Sequence, residues 1–413
     1  MNMRIRNHPG IALLAMFFIF CVPASSHAQE LFRFYPEAQI NGFYGDNIQL
    51  KTNNGSGGFG SAMVAGFYLD YTSSARYASL HWDTFAQLFT HQTELDRAGE
   101  GQYVNATDTE NISSTTKIRF DDFFYRDAPT VLTITTSDQA PQFNSLLAEL
   151  LLANDQVSIN RFSATMWHSW GRGWTSEFSV HQTTFFGNSD NSNNNSTNSY
   201  VQSFSTNTDY HFTERFSLGG GYRYYDFQFS AAGRPDEQAH WPFARVTWQA
   251  NRNLFLSAIG GVVIAHTQGT NNDTVSPGAL GLVEYTFHHG ILRLYGGQEP
   301  ELTSGLGGVG EIRGGRGNLV YYFTPRVTGT AGGGFYQSNG NGFNAQLISW
   351  GVGVSDRLNK SLAVYARFTQ IQINEKGRTE FLPTGFQSGR EATGNYFILG
   401  LSVSVEAFRW SWL

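Results

Sequence analysis

A carboxylate and an imidazole stand two residues apart in Asp209-Tyr210-His211. The flanking residues alternate between polar and apolar, so both side chains would lie on one face of a β-strand. A hydrolase can arrange a base and its orienting carboxylate in this way, and Asp121-Asp122 could add acidic groups. However, the triplet lies beside a turn predicted at Glu214, and Asp121 and Asp122 would point to opposite faces. We therefore expect no catalytic residues and treat hydrolysis as a remote alternative.

Motifs for metals and nucleotides are weaker still. His288-His289 falls in a predicted turn without a carboxylate or thiol at ligand spacing. Gly305-x-Gly307-x-x-Gly310 matches a dinucleotide fingerprint in letters, but no helix follows it. The acidic loop around Asp190 could bind Ca²⁺ or the cations that bridge lipopolysaccharide. We expect neither a cofactor nor a protein metal centre.

Charged residues recur on one face of the predicted strands, opposite an apolar face. If the strands close into a ring, opposite charges on neighbouring strands would pair and create a transverse field in a water-filled bore. The alternative is that they only solvate and brace the inner wall. The predicted lining residues are Arg161, Arg223, Arg245, Arg293 and Arg367, which are the candidates for solute contact, together with Asp83, Asp121, Glu177 and Glu284.

The elements that would position these residues are strands of about ten to fourteen residues. Asn160 to Trp170 alternates strictly, turns at Gly171-Arg172-Gly173, and returns as Trp174 to Phe186. Asn188 to Asn198 is almost wholly polar and indicates a solvated loop. This unit of strand, short turn, strand and polar loop recurs through the second half of the chain.

The same pattern predicts 18 strands, or 16 if weak segments such as Thr130–Thr136 are discounted. Pro141 to Ala153 has helical spacing and is predicted to form a short helix in a loop. The other strands are predicted at Gln39–Leu50, Ala62–Tyr71, Tyr77–Phe89, Lys117–Tyr125, Asn160–Trp170, Trp174–Phe186, Ser203–Phe212, Phe216–Phe229, Phe243–Ala250, Leu254–Ala265, Ala279–Phe287, Ile291–Gly297, Asn318–Phe323, Val327–Tyr336, Ala345–Val354, Leu362–Ile373 and Asn395–Val405.

Short turns alternating with long loops predict an all-β fold, a transmembrane antiparallel up-and-down barrel. The apolar stripe from Phe397 to Val405 would face lipid, and the residues between would face inward. A soluble β-sandwich is the structural alternative, but it would not need aromatic rings at one end only. The aromatics expected to flank the short turns are Tyr71, Tyr77, Phe124, Tyr125, Trp170, Trp174, Tyr210, Phe212, Phe216, Trp248, Phe255, Tyr322 and Phe323.

The last residues break the alternation. Phe408, Trp410 and Trp412 alternate with each other, but they are out of frame with the stripe that ends at Val405. A bulge near Glu406 would restore the frame. Without it, the tail would project away from the sheet.

The first 28 residues indicate a secretory signal peptide. Arg4 and Arg6 precede an apolar run from Ile11 to Val22, and a small-residue cleavage site ends at Ala28. The run of about 12 residues is shorter than the ~20 that a membrane helix needs. Residues 29–413 would then form the barrel, without cysteine, because Cys21 is the only one.

Composition restricts the partners. Without the signal the chain keeps 25 basic and 33 acidic residues, a net charge near −8, and has no charged block. Nucleic acid is therefore not expected as a partner. Aromatics make up 15% of the residues, with 11 prolines in the chain, which favours strands.

Together these features resemble those of porin-like outer-membrane barrels of bacteria, in particular a family often associated with exopolysaccharide export. The residues that carry the resemblance are Gly42-Phe43-Tyr44-Gly45-Asp46-Asn47-Ile48 and the turns Phe212-Thr213-Glu214-Arg215 and Phe323-Thr324-Pro325-Arg326, within Tyr35 to Glu406. The resemblance implies a Gram-negative outer-membrane location and provides no catalytic residues.

We expect a channel for passive diffusion or secretion of small or polysaccharide-type solutes, because 16 to 18 strands enclose an aqueous bore. The alternative is an accessory barrel of polysaccharide export that does not conduct by itself. Expected partners are outer-membrane lipid and lipopolysaccharide, the barrel-assembly machinery, and polysaccharide-export components.

Overall fold

A computed structural model describes residues 30–47, 57–90, 97–126, 156–188, 199–229, 236–269, 273–302, 309–340, 343–377, 391–406 and 408–412. The signal peptide with Ala28, the Thr130–Thr136 strand, the Pro141–Ala153 helix, the Asp190 loop and most of the Gly305 motif lie outside these residues. No helix that is long and apolar enough to cross a membrane occurs within the described ranges.

All described strands join one antiparallel sheet. They are β1 Glu30–Gly45, β2 Gly58–Thr72, β3 Arg76–Phe89, β4 Arg97–Asn111, β5 Thr116–Arg126, β6 Gln156–Gly171, β7 Trp174–Asn188, β8 Ser199–Thr213, β9 Phe216–Phe229, β10 Glu237–Gln249, β11 Leu254–Thr267, β12 Asp273–Phe287, β13 Gly290–Leu302, β14 Val309–Tyr322, β15 Val327–Gly340, β16 Phe343–Arg357, β17 Leu362–Gly377, β18 Glu391–Ser404 and β19 Phe408–Trp412.

The sheet closes on itself as an 18-strand barrel. Each strand pairs with the next along the chain, and β18 and β19 both pair with β1. Because β19 continues β18 along the same edge, the two segments occupy one position in the ring. The predicted all-β barrel of 18 strands is confirmed.

Of the two alternatives for the C-terminal tail, a bulge near Glu406 or a tail that leaves the sheet, the structure has the bulge. Glu37 pairs with Ser404 and Phe34 with Phe408, so three residues of the last strand oppose two residues of β1. The amide of Val405 still donates to Pro36 O at 3.2 Å, so the pairing continues into the bulge. The tail therefore belongs to the sheet and does not project from it.

One strand was not expected from the sequence. β4 pairs with both β3 and β5, and β5 then pairs directly with β6. No described strand lies between β5 and β6 in the ring. The predicted number of strands is right, although the predicted set omitted β4.

Most strands are longer than predicted. The predicted strands Ile291–Gly297 and Asn318–Phe323 are both too short, because β13 runs to Leu302 and β14 starts at Val309. Polar residues there do not alternate with apolar ones, so the pattern stops while the backbone ladder continues. Strand ends of this kind are set by hydrogen bonding rather than by hydrophobicity.

The eight short turns lie at the barrel end that also holds Glu30 and Trp412. Near this end, aromatic contacts on the outer wall link Trp174, Tyr210, Phe212 and Phe216, with ring centroids 4.8–5.8 Å apart. A second chain of rings runs through Tyr285, Phe287, Tyr321 and Phe323. These belts are the expected interfacial girdle.

The prediction was wrong for some aromatic residues, which do not lie in the girdle. Phe124 and Tyr125 lie near the end of β5 that is remote from its short turn at residues 112–115. Phe255 opposes Gln249 and Glu284 and therefore lies on the same face as Glu284. Tyr77 lies on the same face as Ser79, and Tyr322 lies on the same face as Val320. None of these three aromatics is therefore on the apolar outer face. The error arose because closeness to a turn was counted without regard to strand parity.

Candidate functional site: the inner face of the barrel

Ion pairs between non-neighbouring strands identify the inner face. Arg223 on β9 lies 3.8 Å from Glu299 on β13, and Arg245 on β10 lies 3.8 Å from Glu177 on β7. Adjacent strands are about 4.8 Å apart, so side chains three or four strands apart can meet only on the concave side of a sheet. These four residues therefore face the bore.

Register carries this assignment around the ring, because directly opposed residues of antiparallel strands share a face. Arg245 opposes Ile259 and Gly219, and each further pairing extends the row in both directions. All nine predicted lining residues fall on this face: Arg161, Arg223, Arg245, Arg293, Arg367, Asp83, Asp121, Glu177 and Glu284. Their contact with a solute remains a prediction.

The opposite face is apolar and exposed. On β18, Phe397, Leu399 and Leu401 are exposed, whereas Tyr396 and Ile398 between them are buried. On β16, Ile348, Trp350, Val352 and Val354 form the same kind of exposed stripe. A sheet that presents its apolar residues outward and its charged residues inward is suited to lipid around it and water within.

Several charged residues of the inner face lie near the short turns and form a charged belt there. Arg245, four residues from the end of β10, donates from Nε to Asp209 Oδ1 at 3.1 Å and from Nη2 to Oδ2. Trp167 Nε1 donates to Glu177 Oε2 at 3.2 Å. Asp209 is only 3% exposed, so its charge is compensated by the guanidinium of Arg245.

Other pairs in this belt are open to solvent. Arg293 Nε donates to Glu284 Oε2 at 2.7 Å, and the two side chains are 58% and 35% exposed. Arg119, which is 46% exposed, pairs with Asp121 at 2.7 Å. Arg161 lies 6.0 Å from the Phe123 ring, and Arg367 also interacts with neighbouring groups. Among the predicted arginines, Arg223, Arg245 and Arg293 pair with carboxylates of the wall.

Farther from the short turns, the inner face becomes apolar and aromatic. Trp241 and Phe227 are essentially inaccessible to water and pack with Tyr225, Phe243 and Val263. Phe123 on β5 packs against this cluster on β9 and β10, although three strands lie between β5 and β9. The guanidinium of Arg223 lies 5.2 Å from the Trp241 ring centroid. This apolar zone narrows the bore.

Inner-face residues on the other side of the ring are buried as well. Leu347, Ile371 and Ile373 have no solvent exposure, and Tyr396 is 1% exposed. They lie on β16, β17 and β18 on the same face as Arg367. The bore is therefore not uniformly open along its length.

A group that the sequence analysis did not bring together joins β1 to β3. His81 Nε2 lies 2.8 Å from Glu37 Oε1 and 2.9 Å from Asp83 Oδ2. The imidazole stacks on Tyr68, with the ring centroids 3.7 Å apart. Glu37 and Asp83 are 46 residues apart in the chain, so only the pairing of β1, β2 and β3 reveals the group. The sequence places His81 and Asp83 two residues apart on one face of a strand, but no local spacing links either of them to Glu37.

Glycines in the middle of three-residue rows allow such contacts. Gly66 lies between Glu37 and Asp83, and Gly219 lies between Asp209 and Arg245. A Cβ on either glycine would overlap a carboxylate oxygen of the neighbouring aspartate. The missing side chain therefore leaves space for charged groups two strands apart to meet.

The side chains of Asp209 and His211, which were considered for hydrolysis, contact other residues and not each other. Asp209 binds Arg245, whereas His211 Nε2 lies 3.0 Å from Thr175 Oγ1. Asp121 accepts from Thr107 on the inner face, and Asp122 lies near Asn160 on the other face. The expected opposition of Asp121 and Asp122 is confirmed. His288 and His289 stack edge to face at the short-turn end.

No protein-family model and no curated protein matches the sequence. Among solved structures, the chain is similar to the outer membrane protein opdK of Pseudomonas aeruginosa, with 11% identity, TM-score 0.44 and coverage of 91% of this chain and 99% of that one. It is similar to OccK2 (OpdF) of the same organism at 11% identity, TM-score 0.45 and coverage of 91% and 98%. It is also similar to OpdO of Pseudomonas aeruginosa, with 10% identity, a TM-score of 0.46 and coverage of 91% of this chain and 98% of that one. Similarity at this level identifies no solute or partner.

Proposed function

We propose that the protein is a channel for passive diffusion of small charged solutes across a Gram-negative outer membrane. The observation that carries the proposal is the closed ring whose outer face exposes apolar side chains while Arg119, Glu284 and Arg293 remain exposed on the inner face. Backbone groups in lipid must all be paired, which a closed barrel achieves. Exposed ions on its inner wall then require water inside.

The charged belt gives the channel its selectivity. Arg245 and Asp209 form a pair with little exposure, which braces the wall and offers a solute little access. Arg293 and Glu284 are open to the bore, so their charges act directly on passing ions. We infer that solute contact concentrates on the exposed members of the belt rather than on all five predicted arginines.

The test is ion selectivity in planar lipid bilayers, measured as the reversal potential in a KCl gradient. Arg293→Gln should shift the selectivity toward cations, because Glu284 then remains uncompensated in the bore. Glu284→Gln should shift it toward anions. The double variant keeps the net charge of the wild type and should restore its reversal potential. Conducting variants with identical reversal potentials would contradict the proposal.

A second candidate rests on the apolar zone. Leu347, Ile371 and Ile373 face inward yet have no exposure, which favours a barrel that does not conduct by itself. An accessory barrel in polysaccharide export, the association implied by the family resemblance, would have this property. Purified barrel that inserts into bilayers without single-channel current would support this candidate. Current that is blocked reversibly by anionic oligosaccharides would instead indicate a channel with polysaccharide-type cargo.

A further inference from the structure

The group formed by Glu37, His81 and Asp83 has the composition of a metal site. One imidazole nitrogen and one oxygen from each carboxylate all lie within 4.8 Å of one another. Bonds of about 2.1 Å at the tetrahedral angle place neighbouring ligand atoms about 3.4 Å apart. The distances from His81 Nε2 to the two carboxylates, 2.8 and 2.9 Å, are hydrogen-bond distances slightly shorter than that spacing. Small side-chain movements would therefore bring the three groups to ligand spacing.

A second observation, the burial of Asp83, supports cation binding. Asp83 is 7% exposed, and its Oδ1 is buried without a hydrogen-bond partner among the described residues. A Cβ on Gly66 would overlap this oxygen, so Oδ1 lies over the glycine that separates Asp83 from Glu37. A buried carboxylate oxygen without a partner is costly, and a cation would satisfy it.

We propose that Glu37, His81 and Asp83 bind one divalent transition-metal ion on the inner wall of the barrel. The donor set combines one imidazole with two carboxylates and no sulfur, which suits Zn²⁺ or a similar ion better than Ca²⁺, Mg²⁺ or Cu⁺. Water from the bore completes the coordination. The stacked Tyr68 ring fixes the orientation of the imidazole, as supporting contacts do for metal ligands.

The site is reachable from the bore. The side chains of Glu37 and His81 are 24% and 16% exposed, so an ion can enter without opening the wall. Arg33, the nearby cation on β1, lies 3.5 Å from Asp70, outside the group. Binding would join β1 to β3, close to the seam where the first and last strands meet. The site does not depend on whether the barrel conducts.

The experiment is calorimetric titration of the purified barrel in detergent with Zn²⁺. We expect saturable binding of one ion per chain, weakened at least about tenfold by Asp83→Asn or His81→Gln. Excess Ca²⁺ should not compete. The matched control is Asp70→Asn, which removes a carboxylate from the same stretch of wall and should leave the affinity unchanged. Co²⁺ should give visible absorption bands in the wild type that Asp83→Asn abolishes.

Heat-modifiable mobility on gels shows which variants form barrels. If Asp83→Asn does not assemble, Glu37→Gln replaces it, because Glu37 is the most exposed of the three ligands. Absence of saturable Zn²⁺ binding by the wild type would overturn the proposal. Equal loss of affinity in Asp70→Asn would overturn it too, because the ion would then be held by the general negative charge of the wall. Failure of the channel proposal in bilayers would not affect this result.

Discussion

At the scale of single residues, glycine determines which charges can meet. On the inner wall, Gly66 and Gly219 each lie between two charged residues of the flanking strands. Gly400 lies in the same way between Asn41 and Tyr365, whose side chains are hydrogen-bonded. Among the 45 glycines of the chain, those in turns and in the Gly305 motif stand out in the sequence. The places of strand glycines opposite charged residues become visible only once the register is known.

Gly219→Ala should therefore destabilise the barrel. The added Cβ would overlap both Asp209 Oδ1 and the carbonyl oxygen of Thr208, and the backbone oxygen cannot move away cheaply. We expect a loss of about 1–3 kcal/mol in the free energy of unfolding, measured by urea titration of the refolded protein. The matched control is Gly260→Ala, because nothing lies within 4 Å of a Cβ there. Equal losses in both variants would show that strand glycines matter only through backbone entropy.

At the scale of strands, the alternation of polar and apolar residues predicted which side chains face outward much better than it predicted which residues join the hydrogen-bonded strands. Phe216–Phe229 was predicted with its observed bounds, because turn-forming residues stand on both sides of it in the sequence, Thr213-Glu214-Arg215 before it and Gly233-Arg234-Pro235 after it. β4 was missed because its sequence, RAGEGQYVNATDTEN, is polar on both faces. On its outer face Asp108 is paired with Arg76 at 2.6 Å, so part of the expected apolar stripe is replaced by an ion pair. Such a strand is held by its neighbours, and a single sequence does not show them.

The bulge of the last strand allows a test of whether its side chains must keep their inner and outer faces for the barrel to close. Deleting Glu406 leaves two residues opposite two, so Phe408 still pairs with Phe34 in an unbroken ladder. Assembly should then be preserved. Deleting both Val405 and Glu406 leaves one residue opposite two and would shift the end of the strand to the wrong parity.

We expect the single deletion to give as much heat-modifiable barrel in outer-membrane fractions as the wild type. The double deletion should reduce that amount severalfold, because the closing strand can no longer pair along its full length with β1. If the tail contributed nothing to closure, the two deletions would behave alike. Equal yields would therefore contradict the closing role of β19.

At the scale of the whole molecule, the bore has two zones that the sequence did not distinguish. Parity predicted correctly that Arg245 and Glu284 face inward, because their strands alternate cleanly. It could not predict that Trp241 and Ile371, also on the inner face, would be buried. Burial inside a barrel depends on which strands curve toward each other, and that is a property of the closed ring. The charged belt and the apolar zone are thus products of the tertiary structure.

The two tryptophans of β10 test this inside-out arrangement in one strand. Trp241 is buried on the inner face, whereas Trp248, seven residues later, is 48% exposed on the outer face. Trp241→Ala should increase single-channel conductance, because it removes the ring over which Arg223 lies in the narrowed zone. Trp248→Ala should leave conductance unchanged and lower the stability in lipid, because it removes an interfacial anchor. A conductance change confined to Trp248→Ala would mean that the assigned faces are reversed, and with them every inner-face residue discussed above.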